Sequence, residues 1–435
     1  MQIKIIWFGL FGFTREIISL LIKFLKPIHM AKKISRRFFI HTAGLGAIAL
    51  GLQQAGCSAS RKVTPAPASV PSIQGFERAA AADKETSKAW VPVSDRKIRV
   101  GIIGYGVCNF GADFGFQNHP NVEIVAVSDL FPDRCAELAR VCGCSKTYPS
   151  FSELIKNDNV EAVFIATDAP SHAELAIEAL RKGKHVASAV PAVFGSLEDA
   201  ARLYETVKST GMKYMMFETS CFHEDLYAMR TIYDTGGLGK IIYSEGEYYH
   251  YMDVPIDSYK GWRIGLPPQW YPTHSNAYLT GVTRESFTEV SCMGMPSIID
   301  HLKPGNNVYR NPFGTEIALF RTSNGGTSRM GVSWDTPGDG GERGRIRGEK
   351  GSYYGHYEGL EKTLPDILRR ALPPGVPPGG HGGSHGYLMN EFIESILLDR
   401  QPLVDISMAL NLTVAGIVAH QSAMKNGELM KIPQY

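Results

Sequence analysis

The chain has almost no excess of charge. Its 45 lysines and arginines stand against 43 aspartates and glutamates, a formal net charge of +2. No basic stripe follows Lys97, which argues against a nucleic-acid binder, since such a protein needs one to meet phosphates. Cysteine is scarce, with seven in 435 residues and no paired C-x-x-C zinc spacing. Cys142-Gly143-Cys144 is the one close pair, and two small residues near a helix end account for it. An apolar run long enough to span a bilayer, roughly 20 residues, is also lacking. The apolar stretch at 5–13 is followed at once by Arg15 and Glu16.

What is present divides into an address and a body. Ser35-Arg36-Arg37-Phe38-Phe39 is a twin-arginine pattern, and a short apolar run follows at 43–50. A charged start and a short apolar run make an export signal. A twin-arginine signal is read by machinery that carries folded proteins, which suits an enzyme that binds a dinucleotide before it leaves the cytoplasm. Leu52-Gln53-Gln54-Ala55-Gly56-Cys57 resembles the end of a lipoprotein cleavage box. Cys57 is thus a candidate lipid anchor, with cleavage and release to the periplasm as the alternative. Met30 opens a complete signal and is the expected true start. Residues 1–57 are therefore expected to be an export signal. Residues 58–96, rich in Ala, Pro, Ser and charge, read as a linker.

From Lys97 the pattern is strand, turn, helix, strand. An apolar strand at 97–103 runs into Gly104-Tyr105-Gly106-Val107-Cys108-Asn109. Glycines there let the backbone turn sharply and approach a pyrophosphate on the next helix N-terminus. Asn109 replaces the third glycine of the usual fingerprint, and Gly111 stands two residues on. A second strand at 123–128 ends in Asp129. An acidic residue there can bond the ribose hydroxyls and repel a 2′-phosphate, which favours NAD over NADP, although Arg134 nearby works the other way. The alternative for Asp129 is a helix N-cap. Further strands at 162–166, 185–188 and 213–217 alternate with helices. That spacing implies an α/β fold with a parallel, doubly wound Rossmann sheet.

With these pieces the sequence resembles the Gfo/Idh/MocA family. The carriers are Gly104-Tyr105-Gly106, the strand end Ile165-Ala166-Thr167 with His172, and Gly183-Lys184-His185-Val186 leading to Pro191. The resemblance implies an NAD-binding domain at 97–220 and an α/β substrate domain at 221–435 with a large, open, mostly antiparallel sheet, through which copies commonly pair. It implies cofactor contacts from Gly104, Gly106, Val107, Asn109, Asp129, Thr167, Ala169, His172, Val190 and Pro191. Family dehydrogenases carry Glu-Lys-Pro after the fourth strand. Here the stretch is Ala189-Val190-Pro191, and neither Ala nor Val moves a proton.

Within the family the stretch is similar to the NAD-dependent glycosidases of glycoside hydrolase family 109, which also lack that lysine. Met215-Met216-Phe217-Glu218-Thr219-Ser220-Cys221-Phe222, Tyr271-Pro272-Thr273-His274 and His381-Gly382-Gly383 match motifs of that branch. The resemblance implies that Tyr271 contacts the sugar, that His274 is a catalytic acid/base, and that Thr219 stands where an Asn touches NAD. Phe222 falls where the branch has a tyrosine.

The second half adds its own signs. Strands fit 241–251, 316–321 and 328–334. Residues 364–370 start helical, 373–383 read as a Pro/Gly loop, and 390–398 as a final long helix. A polar loop from Gly261 to His274 crowds Trp, Arg, Tyr and His, whose faces and donors suit a sugar. His250, Arg263, Tyr271 and His381 are candidate substrate contacts; packing for His250 and a surface ion pair for Arg263 are the alternatives. His274 and Tyr271 are the candidate catalytic pair, and histidine suits proton transfer near neutrality. His381, His385 and Glu391 suggest a metal cluster at first sight, but their glycine-rich setting reads as a loop over the substrate, and no metal is expected. Three functions follow: an NAD-dependent sugar oxidoreductase, a redox-neutral NAD-dependent glycosidase, or a non-catalytic sugar-binding protein. Export favours the second over the first, because free NAD is scarce outside the cytoplasm and a recycled cofactor needs no supply.

Overall fold

In the computed structural model, residues 88–435 are described. The twin-arginine stretch, Cys57 and most of the expected linker lie outside the described residues. The last part of that linker packs on the body. Lys88 O accepts a hydrogen bond from Ala371 N, and Asn121 Nδ2 donates to Ser94 O and Arg96 O.

Six strands form the first sheet: β1 (Ile98–Ile103), β2 (Val122–Ser128), β3 (Thr147–Tyr148), β4 (Ala162–Ile165), β5 (His185–Ser188) and β6 (Tyr214–Met216). Their order is β3-β2-β1-β4-β5-β6, with every pairing parallel. Ile98, Val100, Ile102 and Ile103 of β1 are buried, as expected of a strand covered on both faces. Each such side chain contributes about 1.5–3 kcal/mol by leaving water. Helices cover the sheet, and their ends are written locally. The helix Pro132–Cys142 starts on a proline and stops at Gly143 in the left-handed region. The helix Leu197–Thr210 is capped by Ser196, whose hydroxyl accepts from Asp199 N, and stops at Gly211. The strand order reverses between β1 and β4, and the carboxyl ends there form the crevice where such sheets bind ligands.

Eight strands form the second sheet: β7 (Ile241–Tyr249), β8 (Phe287–Pro296), β9 (Phe313–Thr322), β10 (Thr327–Ser333), β11 (Gly341–Gly348), β12 (Gly351–Tyr353), β13 (Tyr357–Gly359) and β14 (Met430–Lys431). The order is β13-β12-β11-β7-β10-β9-β8-β14, and only β7 and β10 pair in parallel. The helix Thr273–Thr283 lies on one face. A Cβ at Gly246 of β7 would strike Ser275 O, so glycine sets how closely helix and strand approach.

Three sequence expectations change. His274 is not in a loop but near the start of the buried helix Thr273–Thr283. Residues 364–370 form no helix: Pro365 disfavours a helical residue before it, and buried Arg369 donates to Phe222 O at 2.7 Å and Gly383 O at 3.2 Å. The expected final helix spans His385–Leu397, and a longer one follows it, Ile406–Ala423. That last helix is buried almost all round, so it shows no polar face. It ties the two sheets together. Cys292 N of β8 donates to Ser422 Oγ, and β6 packs on the same helix, with Met216 N donating to Val404 O just before it.

Candidate active site

The crevice at the β1/β4 reversal is a groove built by the glycine turn. Gly104 has φ +88°, and a Cβ there would meet Ala166 O at 2.6 Å. Gly106 has φ +66° and Asn109 φ 57°, a left-handed conformation that Asn tolerates. The packing role of the missing third glycine falls to Gly111, where a Cβ would collide with Gly104 O and crowd Ile102. Asp129, at the end of β2, lines the groove. Its Oδ2 accepts from Tyr105 N at 2.8 Å and Gly106 N at 3.4 Å, and its Oδ1 from Phe131 N at 2.8 Å. Asp129 is not the N-cap of the next helix, a place held by Phe131; it braces the glycine turn from across the groove. Val107, Arg134 and Thr167 line the groove as well, and so do Ser258, Tyr259, Lys260, Trp262 and Arg263 from the second half of the chain.

Deeper in lies a polar cluster that the sequence did not reveal. His274 Nδ1 is 2.8 Å from Glu218 Oε1, 3.3 Å from Thr219 Oγ1 and 3.6 Å from Glu342 Oε1. Glu218 follows β6, and Glu342 opens β11 opposite Tyr248 of β7. Ser220 N donates to Glu218 Oε1 at 3.0 Å, and Ser220 Oγ donates to Glu342. His223 Nε2 lies 3.5 Å from Glu342 Oε2. Burial alone would lower the His274 pKa, but the Glu218 and Glu342 carboxylates outweigh it and hold it up at about 9. Burial likewise pushes both carboxyls up, but His274, with hydrogen bonds from Thr273 and Ser220 at Glu218 and with His223 and His381 near Glu342, more than offsets this, so both sit below the ordinary glutamate range. Left to itself, His274 is a cation at neutral pH, unlike the near-neutral histidine that the sequence suggests.

The expected site residues fall into groups. Tyr271 and His274 stand together, with ring centroids 5.7 Å apart. Burial raises the Tyr271 phenol well above its usual range. Arg263 stacks on Trp262 at 4.1 Å and lines the groove. His250 is buried just past β7, its ring stacked on Tyr248. His381 Nδ1 lies 2.9 Å from His385 Nε2, and burial keeps both imidazoles neutral. Glu391 is elsewhere, bonded to Arg400 and Leu403 N. His172 is fully buried and spans the strand ends, with Nδ1 2.9 Å from Pro191 O and Nε2 3.3 Å from Thr167 O, so it positions those loops. Ala169 packs with Tyr248, Trp262 and Trp334. Val190 and Pro191 are buried after β5, and Thr219 turns toward His274. Phe222 is buried and borders a different cavity, with Trp90 and Arg369. Of the residues missed, Glu218 lies inside a quoted motif, whereas Glu342 and His223 carry no local signal.

Residues 98–218 match the Gfo/Idh/MocA model, described as an oxidoreductase family with an NAD-binding Rossmann fold. Over that stretch the chain is similar to this family. Its cofactor is NAD, and the glycine cradle at Gly104 and Gly106 with Asp129 on the groove wall fits a dinucleotide. A glycosyl hydrolase family 109 protein of Shewanella pealeana is 26% identical over 287 residues, 61% of this chain and 60% of the relative. The chain thus spans well under two thirds of that relative's length. A Bacteroides fragilis protein of the same name is 31% identical over 167 residues, 36% of this chain and 35% of its own. Among solved structures, levoglucosan dehydrogenase in complex with NADH and levoglucosan aligns with a TM-score of 0.65 at 18% identity, covering 78% of this chain and 100% of that one. Apo scyllo-inositol dehydrogenase from Lactobacillus casei aligns with a TM-score of 0.60 at 16% identity, covering 78% and 99%. Likenesses this distant establish the fold. Together they show that the same two-sheet fold recurs in these solved structures.

Proposed function

We propose that this chain is an exported, NAD-dependent enzyme that acts on a carbohydrate by hydride transfer at a ring carbon. The observation that carries this reading is a chain of ring contacts that links the wall of the groove to the polar cluster. Trp262 lines the groove and stacks on Tyr271 with centroids 6.3 Å apart, and Tyr271 abuts His274. When bound, NAD supplies a hydride acceptor. The faces of Trp262 and Tyr271 suit a sugar ring, and the Arg263 guanidinium suits its hydroxyls. Ala189 and Val190 hold no proton, so control of the reacting hydroxyl falls to the Glu218–His274–Glu342 cluster.

A second reading, a redox-neutral glycosidase, is favoured by the relatives' names and by the segment at 258–263 that walls the cofactor groove. In that route the ring is oxidised, the aglycone eliminated, water added and the ring reduced again. Export rests on the twin-arginine pattern, and pairing of two copies through the open sheet belongs to the same reading. No helix among the described residues is long and apolar enough to cross a membrane.

One experiment separates the routes. The protein is purified without added cofactor and incubated with aryl glycosides in deuterated water. Aglycone release with deuterium at C2 and no net NADH identifies the glycosidase. NADH and a keto sugar with the glycosidic bond intact identify the oxidoreductase. Bound sugar with neither change over prolonged incubation sinks both and leaves a binding protein.

A further inference from the structure

We propose that Glu218, His274 and Glu342 form a binding site for one divalent cation of the zinc or manganese type. One ligand atom from each lies within 4.8 Å of the others, the span a single ion can draw together. Among the described residues no other grouping of histidine, cysteine and carboxylates meets this test. The site is buried: Glu218 is 0% exposed, and the side chains of His274 and Glu342 are 5% and 8% exposed.

Charge argues for a cation. Both carboxylates face His274, and Glu342 also has His223 Nε2 at 3.5 Å, so unless both imidazoles are protonated the cluster carries negative charge in excess. Such an excess is costly away from water. The bonding is also incomplete. Glu218 Oε2 is buried with no well-formed hydrogen bond, Thr273 being its one polar neighbour, and His223 Nε2 reaches Glu342 only at 3.5 Å. The other buried His–Glu pair shows what a finished structural pair looks like. His420 Nδ1 meets Glu316 Oε1 at 2.7 Å, and Gln269 N donates to Glu316 Oε2 at 2.8 Å, so one carboxylate faces one imidazole with both its oxygens bonded.

The donor set narrows the ion. Carboxylate oxygens alone suit magnesium or calcium, whereas an imidazole nitrogen among them shifts preference toward zinc, manganese or iron. The ligands are braced as metal ligands usually are. Ser220 supports both carboxylates through its N–H and its hydroxyl, and Thr219 Oγ1 lies against His274. Three protein ligands leave coordination positions open, as in sites that take a substrate oxygen. Tyr271, whose ring neighbours both Trp262 of the groove wall and His274, stands beside the cluster, so a substrate hydroxyl reaching it would meet the ion. A cation there would favour loss of the hydroxyl proton, a task left open by the lysine missing at Ala189-Val190.

This inference rests on the cluster and not on the carbohydrate reading, so its test reads metal. The full chain is stripped with a chelator and dialysed against excess Zn2+, Mn2+ or Mg2+. Bound metal is then counted by plasma mass spectrometry, and affinity is measured by calorimetry. The expected result is about one Zn2+ or Mn2+ per chain, with Mg2+ bound far more weakly. Glu342→Gln and Glu218→Gln should each weaken binding by more than the roughly 10–100-fold lost with a merely supporting contact. Glu316→Gln, at the finished pair, should leave it unchanged. Should a variant fail to fold, Co2+ added to the stripped wild-type protein still decides, because its visible spectrum reports low-symmetry nitrogen and oxygen ligation. No stoichiometric metal in the wild-type protein, or equal binding by wild type and both site variants, overturns the site.

Discussion

His274 Nδ1 stands 2.8 Å from Glu218 Oε1 and 3.6 Å from Glu342 Oε1, so one imidazole lies between two buried carboxylates. Glu218 and His274 are 56 residues apart in sequence, and three elements converge to place the trio: the end of β6, the start of the helix Thr273–Thr283 and the start of β11. One N–H cannot satisfy two acceptors, and this imbalance governs how the cluster answers to mutation.

His274→Gln strands two facing carboxylates. In chelator-treated protein it is expected to cost roughly 3–5 kcal/mol, the range for stripping one partner from a buried charge pair. Glu342→Gln leaves one carboxylate facing one imidazolium and is expected to cost clearly less. Urea unfolding of the two variants gives the order. The reverse order would mean that the two carboxylates are not both ionised. Under the proposed function, His274→Gln also lowers turnover by at least about 10²-fold, and a loss of only a fewfold would remove His274 from the chemistry.

Gly111 does the packing work of the third fingerprint glycine. Gly111→Ala drives a methyl into Gly104 O and is expected to cost about 1–3 kcal/mol, the usual result of overpacking, and to weaken NAD binding by displacing the glycine turn. Asn109→Gly, at the fingerprint's nominal third position, keeps a left-handed backbone and should leave both unchanged. Thermal unfolding and NAD titration compare the two. Equal effects would return the role to position 109.

The cofactor half was legible because its strands are buried on both faces and read as short apolar runs ending in Gly104, Asp129 and Thr167. Tyr271 and His274 were legible through a matched motif. The rest was hidden for physical reasons. The helix Ile406–Ala423 is buried all round and so has no periodicity to read. Residues 364–370 have helical composition, yet Arg369 is spent on carbonyls brought from Phe222 and Gly383. Glu342 sits in Gly341-Glu342-Arg343-Gly344-Arg345, a run that reads as a solvated strand. Only pairing of β11 with β7 places it beside Tyr248 and the cluster.

Asp129 has two tasks, since its carboxylate braces Tyr105 and Phe131 while lining the groove. Asp129→Ala is expected to weaken NAD binding by about 10–100-fold, the worth of one charge-assisted hydrogen bond. Isothermal titration measures it. Unchanged affinity would confine Asp129 to the turn.

His385 gives a pH signature. Burial holds it at about 4, below the ordinary 6.5, while its ring stacks on Phe114 with centroids 4.0 Å apart. Between those values the unfolded chain takes up a proton that the folded chain refuses. Stability is therefore full above pH 6.5 and falls as pH drops toward 4, by about 3 kcal/mol for this group. His385→Phe keeps the stacking and removes the titration, so its stability should vary less with pH across this window than that of the wild type. Denaturant unfolding at several pH values checks the slope. Identical slopes would mean that His385 is protonated in the fold.

Ser258, Tyr259 and Lys260 cross from the second half of the chain to line the cofactor groove, and the Tyr259 ring meets Phe131 edge-on at 6.2 Å. A cofactor held under that segment would have to displace it in order to leave. The protein purified without added nucleotide is therefore expected to retain NAD. Tyr259→Ala should speed its loss by about 3–10-fold, the worth of one aromatic contact. The readout is NAD content after gel filtration, with acid release and chromatography. A slow loss in the wild type that Tyr259→Ala accelerates fits an enzyme that reuses one cofactor over many turnovers. A wild type that emerges empty, or a variant that loses NAD no faster, would show that this segment does not hold the cofactor. The redox-neutral reading would then need a different means of keeping it.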